Sequence, residues 1–572
     1  MEQWMIYSKR ADFAAEAQRF SIDPVTARII RNRDIVGDDA IRKYLYGTKE
    51  EMYSPWLMKD MDRAVHILED GIREGKKLRV IGDYDADGVN ASCILLKGLE
   101  RCGAAVDCEI PHRMFDGYGI NERLIDEAAL AGVNILLTCD NGIAAAVQTE
   151  YAKSLGLTVI ITDHHEVPFE EDENGRRYIL PDAAAVINPK QPDCPYPFKG
   201  LCGAGVAYKL VQALYERFGV PQEEGDELLA YAAVATIGDV MELRDENRIL
   251  VKEGLKLLRR TENPGLRALM HVNGIEPFAL NSYHVGFVLA PCLNAGGRLD
   301  TAKRALSLLL CEDKPEADRM AGELKALNDS RKSLTVKETK KACDMLDRAG
   351  AEDKVLVVFL PDCHESLAGI IAGRLREHYY KPAFVLTRTE HGLKGSGRSI
   401  EGYSMFEELV KCRGYLEKFG GHPMAAGLSL KEEFLEPLKQ ALNDNCTLKP
   451  EDYVCKRWID VQMPLGYITK ELIRGFSVLE PCGRGNEKPL FAEKNVQVRS
   501  LRAIGQNGNA VKLMVGDANG VRMEALYFGE ARSFMEEVHE GSVLSVLYYP
   551  SINEYRGTET IQITICGYRV QQ

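Results

Sequence analysis

The stretch LRVIGDYDADG places three carboxylates, Asp83, Asp85 and Asp87, at alternate positions directly after a short apolar run. Alternate residues of an extended chain share one face, so the three carboxylates are expected to converge. Their mutual repulsion would raise the pKa of at least one of them unless a cation lies between them. A divalent metal site is therefore the first hypothesis, and a solvated acidic turn is the alternative.

A calcium-binding EF-hand also begins Asp-x-Asp-x-Asp-Gly, but it needs a bidentate Glu at the twelfth loop position and a helix before the loop. The twelfth position here is Ile94, and the run KLRVIG before the loop is typical of a buried strand. Both differences exclude an EF-hand.

The strands that must position these residues lie between about residues 78 and 190. Five short apolar runs, LRVIG, VDCEIP, NILLTC, LTVIIT and AAAVINP, alternate there with amphipathic segments, which predicts an α/β domain with a mainly parallel sheet. Three of the runs end at Asp83, Asp140 and Asp163. Ligands of such sheets bind outside the carboxyl ends of the strands. The three acids are expected at one crevice, although Asp is also a common helix N-cap after a strand.

Two adjacent histidines, His164 and His165, follow Asp163. Consecutive side chains point in different directions, so one metal ligand and one phosphate or proton-transfer partner is a natural division, with a surface or capping role as the alternative. Asp239 follows the apolar segment ELLAYAAVATIG, where an unpaired charge is costly. It is a candidate for the last metal ligand.

The composition limits which classes of protein this chain can belong to. The chain has 572 residues, enough for several domains, and its 45% hydrophobic and 27% charged residues are typical of soluble globular proteins. The N-terminus has no signal or transit pattern, no run is long enough to span a membrane, and the 15 cysteines include no Cys-x-x-Cys pair. We therefore expect a cytoplasmic protein with reduced thiols. The net charge of −13 disfavours nucleic acid, but a groove needs only local positive potential.

The rest of the chain predicts a long polar helix after about residue 316, a second α/β unit, and short alternating strands after about residue 450. The second unit contains GLKGSGRSI and KFGGHPMAAG, whose glycines let backbone amides approach an anion beside Ser396, Arg398 and His422. The last part indicates a small β-barrel. Its aromatic and basic residues suit single-stranded nucleic acid, and a purely structural barrel is the alternative.

Seven motifs together resemble the DHH phosphoesterase superfamily, and within it the bacterial single-strand-specific exonucleases. In chain order they are DYDADG, CDNG, DHH, GDVMEL, LNAGGR, GSGRS and GGHPMAAG. The resemblance covers nearly the whole chain and implies an α/β protein in five parts. These are a lead-in segment (1–60), a DHH phosphoesterase domain with a parallel sheet (61–315), a connecting helix (316–350), a DHH-associated α/β domain (351–447) and a C-terminal OB-like barrel that binds nucleic acid (448–572).

The resemblance also implies two divalent metal ions, Mn²⁺ by preference or Mg²⁺, which activate a water and stabilise an in-line displacement. The implied metal ligands are Asp83, Asp85, Asp87, Asp140, His164 and Asp239, with Asp140 bridging the ions. The implied catalytic residues are His165, Asp163 and Asp140, with His165 at the scissile phosphate. The implied phosphate-binding residues are Arg113, Arg298, Ser396, Gly397, Arg398 and His422.

The implied function is that of a single-stranded-DNA-specific 5′-to-3′ exonuclease that releases 5′-mononucleotides in DNA recombination and repair. Its partners would be single-stranded DNA with a 5′ end, a helicase and a single-strand-binding protein, with no membrane; we expect a monomer. The barrel would grip the strand, and a chain ending near residue 448 is expected to keep hydrolysing short substrates.

Three rival functions belong beside this one. A nanoRNA or cyclic-dinucleotide phosphodiesterase shares the metal chemistry, but such relatives typically lack the barrel, and many have His where Asp83 stands. A DNA-holding scaffold would have lost metal ligands, and the inorganic pyrophosphatases are much shorter. In GDVMEL, Gly238 and Glu242 stand where the family pattern leads us to expect Ala and Pro, which concerns only the local loop shape.

Overall fold

The computed structural model describes residues 2–113, 115–172, 175–350, 352–390, 392–505 and 508–571. The predicted domain limits at residues 1, 351 and 572 lie outside these ranges. The chain divides into two compact units, which we treat separately. The first consists mainly of Ser54–Asp239 and Gly254–Cys455, and the second combines Gln3–Tyr53, Val240–Glu253 and Lys456–Gln572.

Strands and helices alternate through most of the chain. The strands are β1 (Glu2–Ile6), β2 (Lys77–Ile81), β3 (Ala105–Glu109), β4 (Ile135–Cys139), β5 (Thr158–Thr162), β6 (Phe169–Asp172), β7 (Gly175–Tyr178), β8 (Ala185–Ile187), β9 (Leu356–Phe359), β10 (Ala383–Thr389), β11 (Gly392–Arg398), β12 (Lys418–His422), β13 (Ala425–Leu430), β14 (Cys455–Ile459), β15 (Val461–Gln462), β16 (Phe491–Ile504), β17 (Ala510–Gly516), β18 (Arg522–Phe528), β19 (Val543–Tyr555) and β20 (Thr558–Val570).

The helices include one π-helical segment, Val285–Leu289, between α12 and α13. The α-helices are α1 (Phe13–Phe20), α2 (Pro24–Asn32), α3 (Asp38–Tyr46), α4 (Met61–Arg73), α5 (Ala86–Arg101), α6 (Glu122–Leu130), α7 (Ala146–Ser154), α8 (Gly203–Phe218), α9 (Asp226–Gly238), α10 (Asp245–Leu258), α11 (Pro264–Val272), α12 (Ser282–His284), α13 (Ala290–Leu299), α14 (Lys303–Leu310), α15 (Lys314–Ala349), α16 (Ala368–Tyr379), α17 (Met405–Lys411), α18 (Leu435–Asn445), α19 (Lys470–Gly475) and α20 (Ala531–Glu537). None of the helices described is long and apolar enough to cross a membrane.

The first sheet of the first unit has the order β3-β2-β4-β5-β8, and all its neighbouring strands are parallel. It confirms the predicted α/β fold, since each of the five apolar runs overlaps one of these strands. Strand β4 is buried along its whole length, as expected for a strand covered on both faces. Because the strands are parallel, their carboxyl ends lie along one edge, where Asp83, Asp140 and Asp163 follow β2, β4 and β5.

The second sheet of this unit has the order β12-β13-β11-β10-β9. Its strand β11 carries the GSGR segment and pairs antiparallel with both β10 and β13. The long helix α15 (Lys314–Ala349) precedes it and begins at Asp313, whose side chain accepts a hydrogen bond from the backbone N–H of Glu316. This agrees with the long helix expected after residue 316.

In the second unit, strands β16, β17, β18, β20 and β19 pair in that order, and a β16–β19 pairing closes the barrel. The barrel core also contains five side chains of α2 and α3, namely Ile29, Ile30, Ile41, Tyr44 and Leu45. The N-terminal helices and the barrel therefore share one core. A chain ending near residue 448 would lose the packing partners of these side chains. Its hydrolysis of short substrates stays a prediction.

Arg248 of α10 connects the segments of the second unit. It is 2% exposed, and its guanidinium lies 3.8 Å from the centroid of the Tyr44 ring. Its five N–H groups donate to five backbone carbonyls, those of Tyr44, Val478, Leu479, Glu480 and Pro481, at 2.8–3.4 Å. A guanidinium has five donors, so all of them are used. The residue links the N-terminal helices to the chain that leads into the barrel.

We predict that Arg248→Ala lowers the free energy of unfolding of the second unit by at least about 3 kcal/mol, because several buried carbonyls lose their donors at once. Urea titration followed by tryptophan fluorescence in a Trp56→Phe background reports on this unit, since Trp4 and Trp458 lie in it and Trp56 lies in the first unit. Arg532→Ala is the control, because the Arg532 side chain is 86% exposed. Equal unfolding midpoints for the two variants would contradict the role of Arg248.

Candidate active site

The turn between β2 and α5 brings the first three carboxylates together. Asp83 ends the strand segment and is 3% exposed, whereas Asp87 lies in the first turn of α5. Asp85 is the N-cap of that helix, and its carboxylate accepts hydrogen bonds from the N–H groups of Asp87 (2.9 Å) and Gly88 (3.1 Å). The predicted convergence is present, but it arises from a strand-to-helix turn and not from the extended backbone that the alternating sequence suggested.

Asp87 is held from the opposite side by the start of α8. Its carboxylate accepts hydrogen bonds from the N–H groups of Gly203 and Ala204, both at 2.7 Å. These donors have no partner within their own helix, and a negative charge is stabilised at such a helix N-terminus. No local pattern in the sequence indicates this partner, which lies more than one hundred residues further along the chain.

Asp140 follows β4 in a left-handed backbone conformation with φ 62°, which an aspartate tolerates better than most residues. Its N–H donates to the Thr162 carbonyl (3.1 Å) of the neighbouring strand. A Cβ atom on Gly203 would lie 2.6 Å from the Asp140 Cβ and 2.7 Å from its Oδ1. Only glycine therefore fits at position 203 beside this carboxylate.

The two histidines after β5 point to different partners, as predicted. His164 Nε2 lies 3.0 Å from Asp140 Oδ1, 3.6 Å from Asp87 Oδ2 and 3.9 Å from Asp239 Oδ2. Burial lowers the pKa of His164 to about 4, so the imidazole is neutral and suited to bind a cation.

His165 lies at the surface of the cluster and is oriented by Asp163. His165 Nδ1 is 2.8 Å from Asp163 Oδ1, and that carboxylate also accepts the N–H of Ile143. Burial lowers the pKa of His165, but the Asp163 hydrogen bond and charge outweigh it and bring the pKa to about 9. Tyr118, which the sequence motifs did not single out, places its hydroxyl 3.2 Å from the same ring and donates it to the Asp140 carbonyl. Asp163 thus acts on the site through His165.

The cluster fits divalent metal ions. Three groups of side chains each have potential ligand atoms within 4.8 Å of one another, and Asp140 belongs to two of them: Asp83, Asp85 and Asp140; Asp87, His164 and Asp239; and Asp140, His164 and His165. Among the described residues, the buried Oδ1 atoms of Asp83 and Asp140 accept no hydrogen bond, although His164 Nε2 lies 3.0 Å from the Asp140 atom. Unpaired buried carboxylate oxygens are costly, and a cation would satisfy them.

The electrostatics of the cluster also favour bound cations. Burial, followed by neighbouring aspartates, raises the pKa of Asp83 and of Asp140 well above the usual value. The same two causes raise the pKa of Asp239 to about 8. Carboxylates with one imidazole are ligands that Mn²⁺ and Mg²⁺ accept. The residues present therefore fit the predicted pair of hard divalent ions.

The predicted phosphate-binding arginines lie beside this cluster. The Arg113 guanidinium lies 4.9 Å from the centroid of the Tyr84 ring, and Arg298 Nη1 donates to the Ser366 carbonyl at 2.8 Å. Burial and the charges of Arg113, Arg331 and Arg398 lower the pKa of Arg298 to about 10, with Asp85 acting in the opposite direction. These arginines therefore form a local positive region in an acidic protein.

Ser396 and Arg398 lie together on β11, with Arg398 Nη1 donating to Ser396 Oγ at 3.1 Å. A Cβ on Gly369, near the start of α16, would lie 2.9 Å from Arg398 Nη2 and 3.0 Å from Ser396 Oγ. Gly397 faces the core instead, where a Cβ would lie 2.5 Å from the Phe384 ring. Any phosphate contact of Gly397 is limited to its backbone.

His422, at the end of β12, lines a cleft of about 630 Å³ together with Tyr118 and His165. The structure thus brings together all six predicted metal ligands. Of the predicted phosphate-binding residues, Arg113 and Arg398 lie close enough to Arg298 to act on its charge, and His422 lines the cleft beside His165. Three further residues at the site were not predicted, namely Gly203, Tyr118 and Asn294. The Asn294 Oδ1 accepts a hydrogen bond from the Ala86 N–H at 2.7 Å, which holds the turn that carries Asp83, Asp85 and Asp87. Asn294 lies inside the motif LNAGGR noted above, and Tyr118 lies in the segment PHRMFDGYG, which also contains Arg113.

Comparison with known proteins identifies the family. Residues 77–238 match the DHH family N-terminal domain, 352–447 the DHHA1 domain and 459–567 the RecJ OB domain. The single-stranded-DNA-specific exonuclease RecJ of Bacillus subtilis is 38% identical over 552 residues, which cover 96% of this chain and 68% of that protein. The chain belongs to the RecJ family.

Solved RecJ structures have the same fold. RecJ from Thermus thermophilus in complex with Mn²⁺ is similar with a TM-score of 0.82 and 29% identity, covering 100% of this chain and 80% of that chain. The Mg²⁺ complex from the same organism has a TM-score of 0.77 and 28% identity, covering 100% of this chain and 79% of that one. The RecJ fold therefore extends over both units of the chain.

We predict that Asp140→Asn reduces hydrolysis by several orders of magnitude, because a neutral amide is a poor replacement for a shared carboxylate ligand. Asparagine tolerates the left-handed backbone, so the fold should persist. Calorimetric titration with Mn²⁺ should show fewer bound ions. Asp193→Ala is the control, because that side chain is 67% exposed. A variant with more than about a tenth of the wild-type rate would reject the shared role of Asp140.

We also predict that Gly203→Ala weakens Mn²⁺ binding, because the new methyl group must displace the Asp140 carboxylate. Gly205→Ala is a matched control on the same helix, where the Cβ would lie 3.4 Å from Leu201. The measurement is the Mn²⁺ dissociation constant of both variants. If Gly203→Ala binds Mn²⁺ as tightly as Gly205→Ala, the close approach does not position Asp140.

Proposed function

We propose that this chain is a metal-dependent, single-stranded-DNA-specific exonuclease that digests from the 5′ end and releases 5′-mononucleotides, acting in DNA recombination and repair. The observation that carries the proposal is the buried carboxylate and histidine cluster centred on Asp140, with arginines beside it, in a chain of the RecJ family. The names of its relatives supply the substrate class, and the residues supply the chemistry.

When bound, two divalent ions would supply an activated water and stabilise the charge that develops on the phosphate. The proposed ligands are Asp83, Asp85, Asp87, Asp140, His164 and Asp239. His165, kept protonated and oriented by Asp163, would donate a hydrogen bond to an oxygen of the scissile phosphate. Such preorganised donors stabilise the transition state because they need no reorganisation during the reaction.

The direction of digestion would come from two side chains of β11 in the second sheet. Ser396 and Arg398 offer a hydroxyl and a guanidinium to a terminal 5′-phosphate, which has more charge than a phosphodiester. Arg113 and Arg298 would hold internal phosphates between that pocket and the metal cluster, and His422 would contact the strand across the cleft. An internal phosphate could not satisfy the terminal pocket as well, so cleavage would start at the 5′ end.

The barrel would hold the strand away from the catalytic residues, as OB-folds do for single strands. The enzyme would act as a monomer, and a helicase and a single-strand-binding protein would supply and present the substrate. We expect these reactions in the cytoplasm. A phosphodiesterase for very short substrates is the second candidate and would not need the barrel.

The test is digestion of 5′- and 3′-labelled oligonucleotides, single- and double-stranded, with Mn²⁺ or Mg²⁺ added after chelation. We expect release of label from the 5′ end of single strands only. Equal digestion from both ends would reject the proposed polarity. Hydrolysis confined to dinucleotides would favour the second candidate.

We predict that Arg398→Ala removes the preference for a 5′-phosphate over a 5′-hydroxyl. A lost charge-assisted hydrogen bond of about 1.5–3 kcal/mol corresponds to a fall of roughly 10- to 150-fold in kcat/KM on the phosphorylated substrate only. Arg388→Ala is the control, because Arg388 lies on β10 with its side chain 54% exposed. An equal fall in kcat/KM on the 5′-phosphorylated and the 5′-hydroxyl substrate would show that Arg398 binds the strand in general and not its 5′-phosphate.

A further inference from the structure

Two aromatic side chains lie largely in solvent on the helix that leads into the active site. Tyr283 is 62% exposed and Phe287 is 67% exposed. Their rings are stacked, with centroids 4.9 Å apart and an interplanar angle of 30°. Contiguous exposed apolar surface often marks a binding site. Tyr283 lies just before the π-helical segment Val285–Leu289 and Phe287 lies within it, and such segments occur often at functional sites.

The helix carrying the pair packs directly against the metal cluster. A Cβ on Gly286 would lie 3.2 Å from Ile237 of α9, and a Cβ on Gly238 would lie 3.1 Å from the Ala290 Cβ. Asp239, a proposed metal ligand, immediately follows Gly238. The helix therefore passes the metal cluster near Ala290, about 5 Å along its axis from Phe287.

The accessible face of this helix is continuous with the site. Five residues that keep some exposure, Tyr283, Phe287, Pro291, Asn294 and Arg298, recur at intervals of four, four, three and four. His284, Gly286 and Val288 are also partly exposed, whereas Leu289, Ala290, Cys292 and Leu293 are buried. Such intervals place residues on one side of a helix. Asn294 supports the metal loop, and Arg298 lies about 12 Å beyond Ala290 on the side away from the aromatic pair.

The occupant that suits this face is the base of a single-stranded nucleic acid. Aromatic rings stack on bases of any sequence, which an exonuclease requires. The chain has a net charge of −13, so stacking would supply affinity that phosphate contacts alone cannot. A strand running from Arg298 over the metal cluster meets the aromatic pair next.

We propose that Tyr283 and Phe287 form a stacking platform for a base on the 3′ side of the scissile phosphate. The proposal rests on the 5′-end polarity proposed above, which places the terminal phosphate on the Arg298 side. The platform would fix the strand beside the metal cluster without reading its sequence.

The test uses the full-length chain without added divalent metal and 5′-phosphorylated oligonucleotides that carry one 2-aminopurine at successive positions from the 5′ end. Stacking on an aromatic ring should quench 2-aminopurine at one or two positions near the 5′ end. Tyr283→Ala combined with Phe287→Ala should abolish that local quenching and weaken binding at least about fivefold, the loss expected for about 1 kcal/mol of stacking. Phe287→Trp should preserve both signals.

Leu130→Ala is the matched control, because Leu130 is 89% exposed on α6 and has no aromatic ring. Retained Mn²⁺ binding by the double variant shows that the fold persists. If the double variant keeps both the local quenching and the wild-type affinity, the stacking platform is rejected, and binding of a protein partner becomes the explanation for the exposed pair. Failure of the proposed function is distinguishable, because then the wild type itself would not digest single strands from the 5′ end.

Discussion

The burial of several carboxylates at one sheet edge is the constraint on which the first unit depends. Burial and mutual repulsion raise the pKa of Asp83, Asp85 and Asp140, so the charged cluster is unfavourable without compensation. Local hydrogen-bond donors supply part of this compensation. The first turn of α5 binds Asp85, and the N–H groups of Gly203 and Ala204 bind Asp87. Cations would supply the rest, so metal binding should also stabilise the folded state.

The sequence predicts the parts of this site that follow from local rules. The apolar runs indicate the parallel sheet, and the carboxyl ends of parallel strands lie at one edge, which is why Asp83, Asp140 and Asp163 could be grouped from the sequence alone. Gly203 could not be found in this way, since its role depends on a close approach to Asp140 from a distant helix. A glycine in GAGVAY has no local feature that indicates which carboxylate it faces.

Long-range contacts that the sequence does not indicate also determine the second unit. The alternating strands indicate a barrel, but nothing in their pattern shows that α2 and α3 complete its core. Arg248 lies within a helix of ordinary polar appearance, DENRILVKEGLKLL, yet its five donors are all buried against carbonyls from two distant segments. Long-range hydrogen bonds to backbone carbonyls leave no trace in side-chain periodicity. The role of such a buried arginine can be recognised only from the three-dimensional structure.

The helix from Tyr283 to Arg298 carries residues for three of the proposed roles, namely base stacking, support of the metal loop and phosphate binding. Its buried side is fixed by Gly286 and Ala290 against α9, and Gly297 allows the close approach of the Tyr84 carbonyl, which a Cβ would meet at 2.1 Å. Because the helix cannot rotate without breaking these contacts, the distance between Phe287 and Arg298 is set at about 16 Å by the helical rise. The metal cluster lies between them. If the proposed stacking and phosphate contacts form, a strand held at both ends of that distance would have one register relative to the metals, as stepwise release of single nucleotides would require.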